Sequence, residues 1–297
     1  MRPIILAAVA ALLSGVAASA QLGPLVATPA ATDMKLGKLR LTALRDAAAN
    51  APNDAKVFGV DTGPAAVEAV LAAAGATPGQ ISLSVNTLLV RMPGHVVLVD
   101  TGYGAPRGIM LDSLARAGVA PAAVTDILIS HGHGDHVGGL IDADGKPVFA
   151  KATVRMAADE WTAIQAAPAN AKLVAGITPQ VKTFVAGAAV LPGVASVDLS
   201  GHTPGHSGYR ITSAGQSVLA IGDMAHSYIV SLGKPDWAMG YDRDRKQGAE
   251  RRRSVLATEA RTEELIFSPH FPYPGFGHVV VAGEGFAWQP QPGLTAK

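Results

Sequence analysis

His131-Gly132-His133-Gly134-Asp135-His136-Val137-Gly138-Gly139, entered from the apolar run Ile127-Leu128-Ile129 and then Ser130, decides how the rest of the chain is read. The apolar run reads as a buried strand. The glycines after it let the backbone fold back, so that His131, His133, Asp135 and His136 converge. Imidazole and carboxylate are ligands that suit zinc, and also iron or manganese. Histidine is a scarce residue, and so dense a cluster is costly to fold without a cation to gather it. The stretch therefore reads as half of a metal site rather than a polar turn.

Composition bounds what surrounds this site. The 297 residues are 48% hydrophobic and 16% charged, enough for one large domain or two small ones, and not the balance of a disordered chain. A formal net charge of +1 gives no global field to favour nucleic acid or an anionic membrane surface. With no cysteine, neither disulfides nor thiolate ligands are available. Met1 to Ala20 read as a signal peptide: Arg2 is the charged start, Ile4 to Leu13 the apolar centre and Ala18-Ser19-Ala20 the small-residue cleavage pattern. The expectation is cleavage near Ala20 and a secreted or periplasmic protein with no later membrane span.

Residues 21–37, rich in small residues and proline, are expected to form a flexible arm, and residues 38–297 one domain. Lys38 to Ala43 begin the first strand, and Ala65 to Ala74 form a helix. Ile81 to Arg91 and His95 to Val99 pair across Met92-Pro93-Gly94, with His95 exposed beside the turn. Helices are expected over Ile109 to Ala117 and Ala157 to Gln165. Tyr209 to Thr212 and Ser217 to Ile221 read as a hairpin around Ala214-Gly215. The longest helix runs from Asp242 to Arg261, and its Arg251-Arg252-Arg253 run reads as a solvated face. Strands alternating with helices argue an α/β arrangement.

All nine histidines except His95 fall in four strand-end segments: His131 to His136, His202 to His206, Asp223 to His226, and His270 to His278. Loops at strand ends carry chemistry because the sheet holds them rigid. The order Asp100-Thr101-Gly102, His131-x-His133-x-Asp135-His136, Gly201-His202-Thr203-Pro204-Gly205-His206, Gly222-Asp223 and His270 resembles the metallo-β-lactamase superfamily, from about Lys38 to the C-terminus. The resemblance implies a four-layer αββα sandwich with two divalent metal ions, usually zinc, with iron, manganese or cobalt as alternatives. Carried over residue by residue, His131, His133 and His202 hold the first ion, Asp135, His136 and His270 the second, and Asp223 bridges both. Asp100 and His206 then orient the ligand loops from behind.

Differences among the branches narrow the reading. Penicillin-hydrolysing members of two subclasses use a cysteine ligand, which is lacking here, and the remaining subclass generally lacks a counterpart of Asp223. The glyoxalase II type carries a basic C-terminal domain that is not evident. His270-Phe271-Pro272-Tyr273-Pro274-Gly275-Phe276-Gly277-His278, with Gly222-Asp223-Met224-Ala225-His226 and Asp242 to Lys246, resembles the methyl parathion hydrolase branch and its lactonase relatives. The expectation is a dinuclear hydrolase of lactones and esters, with phosphotriesters as further substrates; an exported β-lactamase or a thiolester hydrolase are the alternatives. A bridging hydroxide is the nucleophile, with Asp223 as bridge and Asp135 as proton relay. Acyl homoserine lactonases place a tyrosine three residues after the bridging aspartate, where this chain has His226. His226, Trp237, Phe271, Tyr273, Phe276 and His278 are expected to line a pocket for a small apolar substrate. The branch resemblance makes a homodimer the expected assembly.

Overall fold

The computed structural model describes residues 23–294, residue 26 excepted, so the signal peptide expected over Met1 to Ala20 lies outside the described residues. Two sheets form the centre. The first contains β1 (Gly23–Leu25), β2 (Ala31–Leu36), β3 (Leu39–Pro52), β4 (Gln80–Met92), β5 (His95–Val99), β6 (Asp126–Leu128), β7 (Thr153–Ala157) and β8 (Val181–Phe184). The second contains β9 (Ala189–Leu191), β10 (Val194–Asp198), β11 (Ser207–Ser213), β12 (Gln216–Ala220), β13 (Leu265–Phe267), β14 (Phe276–Ala282) and β15 (Gly285–Pro290). Their orders are β1-β3-β4-β5-β6-β7-β8, with β2 also on β3, and β15-β14-β13-β12-β11-β10-β9. Helices α1 (Pro64–Ala73), α2 (Met110–Arg116), α3 (Gly134–Val137), α4 (Ala158–Ala166), α5 (Ala171–Ile177), α6 (Val230–Gly233) and α7 (Arg245–Thr262) complete the fold.

The layering follows from the two-residue period of buried strands. Leu88, Val90, Val97, Val99 and Leu128 face the second sheet and meet Tyr209, Ile211, Val218, Ala220, Phe267 and Phe276. The intervening Leu89, Leu98 and Ile127 point the other way, onto Met110 and Leu114 of α2 and Ile164 of α4. In the second sheet Leu219 and Ile266 likewise face outward, onto Leu232 and onto Leu256 of α7. Both sheets are therefore apolar on both faces and need a helical layer outside each, which gives the αββα sandwich expected from the resemblance. No helix among the described residues is long and apolar enough to cross a membrane.

The arm expected over residues 21–37 is largely strand instead. Ala31–Leu36 pairs antiparallel with Leu39–Leu44, and Gly23–Leu25 pairs with Ala48–Asn50. Thr32 is buried, and its hydroxyl lies 2.8 Å from that of Tyr273, a long-range contact that small-residue composition does not announce. The long helix begins at Arg245, capped by the Asp244 carboxylate accepting from the Gln247 N–H, so Asp242 stands outside it. The hairpin at Ala214-Gly215 is as expected, with both residues at positive φ as a tight two-residue turn requires.

A buried carboxylate on β3 shapes the loop that approaches the site. Asp46 accepts from the N–H groups of Tyr103 (2.8 Å) and Met110 (2.9 Å). The loop wraps it so closely that a Cβ at Gly102, whose φ is +70°, would lie 2.4 Å from its carboxylate carbon. Burial pushes the Asp46 carboxyl up to about 6, against the opposing hydrogen bonds from Tyr103 and Met110. Between the ordinary value of 3.8 and about 6 the folded chain holds the proton more tightly than the unfolded chain. This group's contribution to stability is therefore present below that window and lost as pH rises through it. The stability advantage of the wild type over Asp46→Asn should shrink by about 2 kcal/mol between pH 4 and pH 7. Urea unfolding of chelator-treated protein measures it; an advantage that stays constant or grows with pH would contradict the assignment.

Candidate metal centre

The parallel pairings β5–β6, β6–β7 and β12–β13 direct the C-terminal ends of these strands to the sheet edge where the ligand loops gather. β6 runs into Ser130 and His131, and α3 is a single helical turn that carries Asp135 and His136. His202 comes from the β10–β11 connection, Asp223 follows β12 and His270 follows β13. The sandwich seam is tied at this edge: the Tyr209 hydroxyl donates to the Ile129 carbonyl at 2.6 Å, and the Ser207 N–H to the Ser130 carbonyl at 3.0 Å.

Two donor groups result. His131, His133, His202 and Asp223 form one, and Asp135, His136, His270 and Asp223 the other, each with donor atoms within 4.8 Å of one another. In the first, His131 Nε2 lies 2.9 Å from His133 Nδ1 and 3.2 Å from His202 Nε2, and the last two are 3.0 Å apart. Asp223 Oδ2 lies 3.4 Å from His131 Nε2 and from His202 Nε2. Tetrahedral ligation at about 2.0–2.1 Å sets ligand atoms roughly 3.3 Å apart, so these spacings suit donors gathered round one ion. In the second, Asp223 Oδ1 is 3.0 Å from both His136 Nε2 and His270 Nε2, with Asp135 Oδ2 at 3.6 and 3.7 Å. His136 Nε2, His270 Nε2 and Asp223 Oδ1 are buried without a hydrogen-bond partner. Buried polar atoms of a folded protein are ordinarily satisfied, so three orphans converging on one point fit a divalent cation.

The opposite ring nitrogens of His131, His136, His202 and His270 are committed elsewhere, which fixes the face each of these imidazoles presents. Nδ1 of His136 is 2.8 Å from Asp100 Oδ2, Nδ1 of His202 is 3.0 Å from Asp242 Oδ1, and Nδ1 of His270 donates to the Ser84 carbonyl at 2.7 Å. His131 Nδ1 is 3.0 Å from Ser130 Oγ. Asp100 also accepts from the Ser130 N–H and hydroxyl, and holds this aim with φ at +60°, a conformation uncommon outside glycine. His206 donates from Nδ1 to the Leu199 carbonyl, and its Nε2 accepts the Asp223 N–H at 3.0 Å. Asp100 and His206 thus sit behind the donor atoms. Gly222 makes room for that last contact: its φ is +49°, and a Cβ there would lie 2.4 Å from His206 Nε2.

Electrostatics follow the shared carboxylate. Burial alone would push the Asp223 carboxyl up, but His136, His270, His226 and His131 hold it well below the usual range. Burial and the neighbouring His136 drive His131 well below the ordinary imidazole value, and burial with His202 lowers His133 to about 4, leaving both rings as lone-pair donors. His136 moves the opposite way: burial opposes its charge, but Asp223, Asp135 and Asp100 raise it well above the ordinary value. Buried carboxylates demand positive charge here, from protons or from metal.

The expected substrate wall is only partly here. His226 belongs to the site: its Nε2 is 3.0 Å from Asp223 Oδ2, its ring stacks on His270 at 4.8 Å, and its buried Nδ1 has no partner. Phe271 and Phe276 do not line it. They are buried in the two cores, Phe271 against Trp288 and Phe276 against Phe267, because the chain turns inward after His270 to enter β14. His278 lies along β14, near the Glu263 carbonyl and Gln291, away from the donor groups. Tyr273 instead pins the N-terminal strands, donating to the Ala43 carbonyl with Arg45 over its ring. Trp237 packs with Val57, Phe58 and Met239 in a cluster that also receives Tyr241. His95 is partly exposed but paired with Asp126 at 2.8 Å.

Further residues around the donor groups were not apparent from sequence. Tyr103 and Tyr241 are half-buried phenols with no hydrogen-bond partner for their hydroxyls among the described residues, and the Tyr241 ring lies 5.2 Å from that of His226. Burial and the charges of Asp135 and Asp223 push the Tyr241 phenol up to about 12. Arg252 is 1% exposed, so the solvated-face reading of the arginine run fails there, while Arg251 and Arg253 pair at the surface with Asp198 and Asp236. Glu160, in the first turn of α4, joins two ligand loops: it accepts from the Gly132 N–H (2.8 Å), the Thr203 hydroxyl (2.6 Å) and the Gly205 N–H (3.0 Å).

This sandwich with a rim of histidine and aspartate defines a metal-dependent hydrolase scaffold, and comparison agrees. The metallo-beta-lactamase superfamily profile matches residues 81–270, and the chain belongs to that superfamily. Metallo-beta-lactamase domain-containing protein 1 of Xenopus laevis is 38% identical over 135 residues, covering 43% of this chain and 49% of that protein. Ribonuclease Z of Methanothermobacter thermautotrophicus is 40% identical over 55 residues, 18% of this chain and 16% of the relative. The chain thus spans about half or less of these curated relatives. Among solved structures, the dizinc quorum-quenching lactonase AidC superposes with a TM-score of 0.84 at 27% identity, covering 89% of this chain and 98% of AidC. The hydrolase AbOPH of the beta lactamase superfamily gives 0.80 at 29% identity, over 90% and 99%.

Replacing Glu160 with alanine leaves two loop N–H groups and a hydroxyl without their buried acceptor. Stability should fall by about 2–4 kcal/mol, read from urea unfolding. A loss below roughly 0.5 kcal/mol, the scale of an ordinary surface substitution, would mean that the loops do not depend on it.

Proposed function

We propose that the chain is a two-metal hydrolase of small apolar lactones and esters. One divalent ion is held by His131, His133 and His202, a second by Asp135, His136 and His270, and both by Asp223. The observation that carries the reading is the division of one buried carboxylate between two donor groups, Oδ2 toward the first and Oδ1 toward the second. The superposition on AidC over nearly the whole of both chains supports the substrate class. When bound, two such ions lower the pKa of water toward neutrality and polarise the oxygen of the scissile carbonyl. Zinc suits the nitrogen and oxygen donors, with iron, manganese or cobalt as alternatives.

The chain's own residues do the rest. Asp223 fixes the separation of the donor groups, with its backbone N–H held by His206. Asp135 is the most open of the carboxylates here, its side chain 19% exposed, so it accepts the proton released on attack and returns it to the leaving oxygen. The Tyr103 and Tyr241 hydroxyls, without hydrogen-bond partners among the described residues, supply donors for the substrate carbonyl. His226 occupies the sequence position of the lactonase tyrosine.

Metal analysis of the purified protein should give two ions per chain. Turnover of γ- and δ-lactones and aryl esters should exceed that of nitrocefin, with paraoxon-type triesters marking the breadth of the site. Nitrocefin turnover matching the best lactone would instead favour a β-lactamase. Asp223→Ala should lose an ion and slow lactone hydrolysis by more than about a hundredfold, beyond the usual effect of removing a supporting residue. Two ions and full rate in that variant would end the bridging assignment. Tyr241→Phe should raise KM more than it lowers kcat; an unchanged kcat/KM would remove that phenol from substrate contact.

A further inference from the structure

Arg252 is the largest fully buried side chain among the described residues. A buried guanidinium costs several kcal/mol unless its donors are met. Nη2 donates to Asp242 Oδ2 at 2.8 Å, Nε to the Met224 carbonyl at 3.1 Å, and Nη1 to the Pro235 carbonyl at 3.3 Å. Two of these partners lead to the metal cluster. The other oxygen of Asp242 faces His202 Nδ1 at 3.0 Å, and Met224 directly follows Asp223. Asp223 Oδ2 and His202 Nε2 in turn stand 3.4 Å apart in the same donor group. The two ligands come from separate loops, the β10–β11 connection and the turn after β12, and one cation on α7 grips both from behind.

We propose that Arg252 is a positioning residue that sets metal affinity at the His131, His133, His202 and Asp223 group. It locks the ring of His202 through Asp242 and the Asp223 turn through the Met224 carbonyl. The inference rests on the two-metal reading above. Stability does not account for such an arrangement, because a buried ion pair is often matched by well-packed apolar residues. A lysine could neutralise Asp242 as a point charge but lacks the planar fork that meets a carboxylate and a carbonyl together. The second donor group is backed independently, by Asp100 behind His136 and the Ser84 carbonyl behind His270. The effect should therefore be unequal between the two ions.

The test is zinc binding to full-length protein by competition with a chromophoric chelator, for wild type, Arg252→Lys and Arg252→Met. Thermal unfolding of each metal-stripped protein is followed in parallel. Arg252→Met should weaken one of the two zinc ions by about 10- to 100-fold and the other distinctly less, through the shared Asp223 alone. Arg252→Lys should give a smaller loss at the same ion. Cobalt substitution adds a coordination signature, and the visible band of one ion should change in both variants. A purely structural role would lower the unfolding temperature of the stripped protein while folded variants kept wild-type affinities, and that result would overturn the proposal. If Arg252→Met does not fold, Arg252→Lys decides alone, and wild-type affinity with an unchanged cobalt spectrum there would also overturn it. Equal weakening of both ions would refute the assignment to the first group. Failure of the wild type to bind zinc would instead overturn the metal-centre reading itself.

Discussion

A single buried carboxylate sets the terms for this molecule. Asp223 is 2% exposed, and the ion-pair partners its oxygens meet are all imidazoles: His131, His136, His202, His226 and His270. A carboxylate in that position is tolerable only where positive charge can be brought to it. Imidazoles with their lone pairs turned inward supply such charge only by taking up protons, but they can hold a cation that supplies it. Hence the rear nitrogens of His131, His136, His202 and His270 are committed to the Ser130 hydroxyl, Asp100, Asp242 and the Ser84 carbonyl. The rest of the site is an arrangement for keeping those commitments.

The sandwich provides the rigidity this requires. Parallel strand pairs end at one edge, and the seam between the sheets is tied there by Tyr209 and Ser207, a few residues from the ligands. Above the edge, loops distant in sequence are joined by buried carboxylates that accept backbone N–H groups. Glu160 joins the 131–136 and 202–206 loops, Asp100 orients Ser130 and His136, and Asp46 holds the turn after Gly102. Each has the same logic: a carboxylate on a rigid element satisfies several donors that a mobile loop would leave to water.

The donor cluster of the 131–136 turn and the layering were legible in sequence because one is local and the other periodic, whereas the distant His202, Asp223 and His270 joined it only through the family resemblance. Histidine spacing in one turn and alternating apolar residues such as Leu88-Leu89-Val90 are visible without knowing what lies opposite. What escaped depends on contacts across the fold. Arg252 looks like its neighbours until Asp242, Met224 and Pro235 are seen to meet it, and nothing in a run of arginines marks the middle one as buried. Phe271 and Phe276 fall in the His270–His278 segment expected to line the cleft, yet both pack into the cores. Strand β2 lies in a stretch of small residues, and its place is set by register on β3 and by Tyr273 rather than by its own propensity. Glu160 sits in a first helical turn where acidic residues are common, so its grip on two distant loops gave no signal.

These supports also bear on how folding and metal binding are divided. The orphaned His136 Nε2, His270 Nε2 and Asp223 Oδ1 each cost about 1–3 kcal/mol while unmatched, so gathering them opposes folding. A centre assembled only by its ion would be disordered without it, as small zinc modules are. Here the imidazoles are oriented by hydrogen bonds that need no metal, and the loops are joined by Glu160 and Asp100 to sheets with their own cores. The sandwich carries the unfavourable convergence in advance, so an ion meets donors already in place. Affinity then depends on the residues behind the ligands as much as on the ligands themselves. On the two-metal reading proposed above, the tuning of the centre lies with Asp100, Asp242 and Arg252, behind the donor atoms rather than among them.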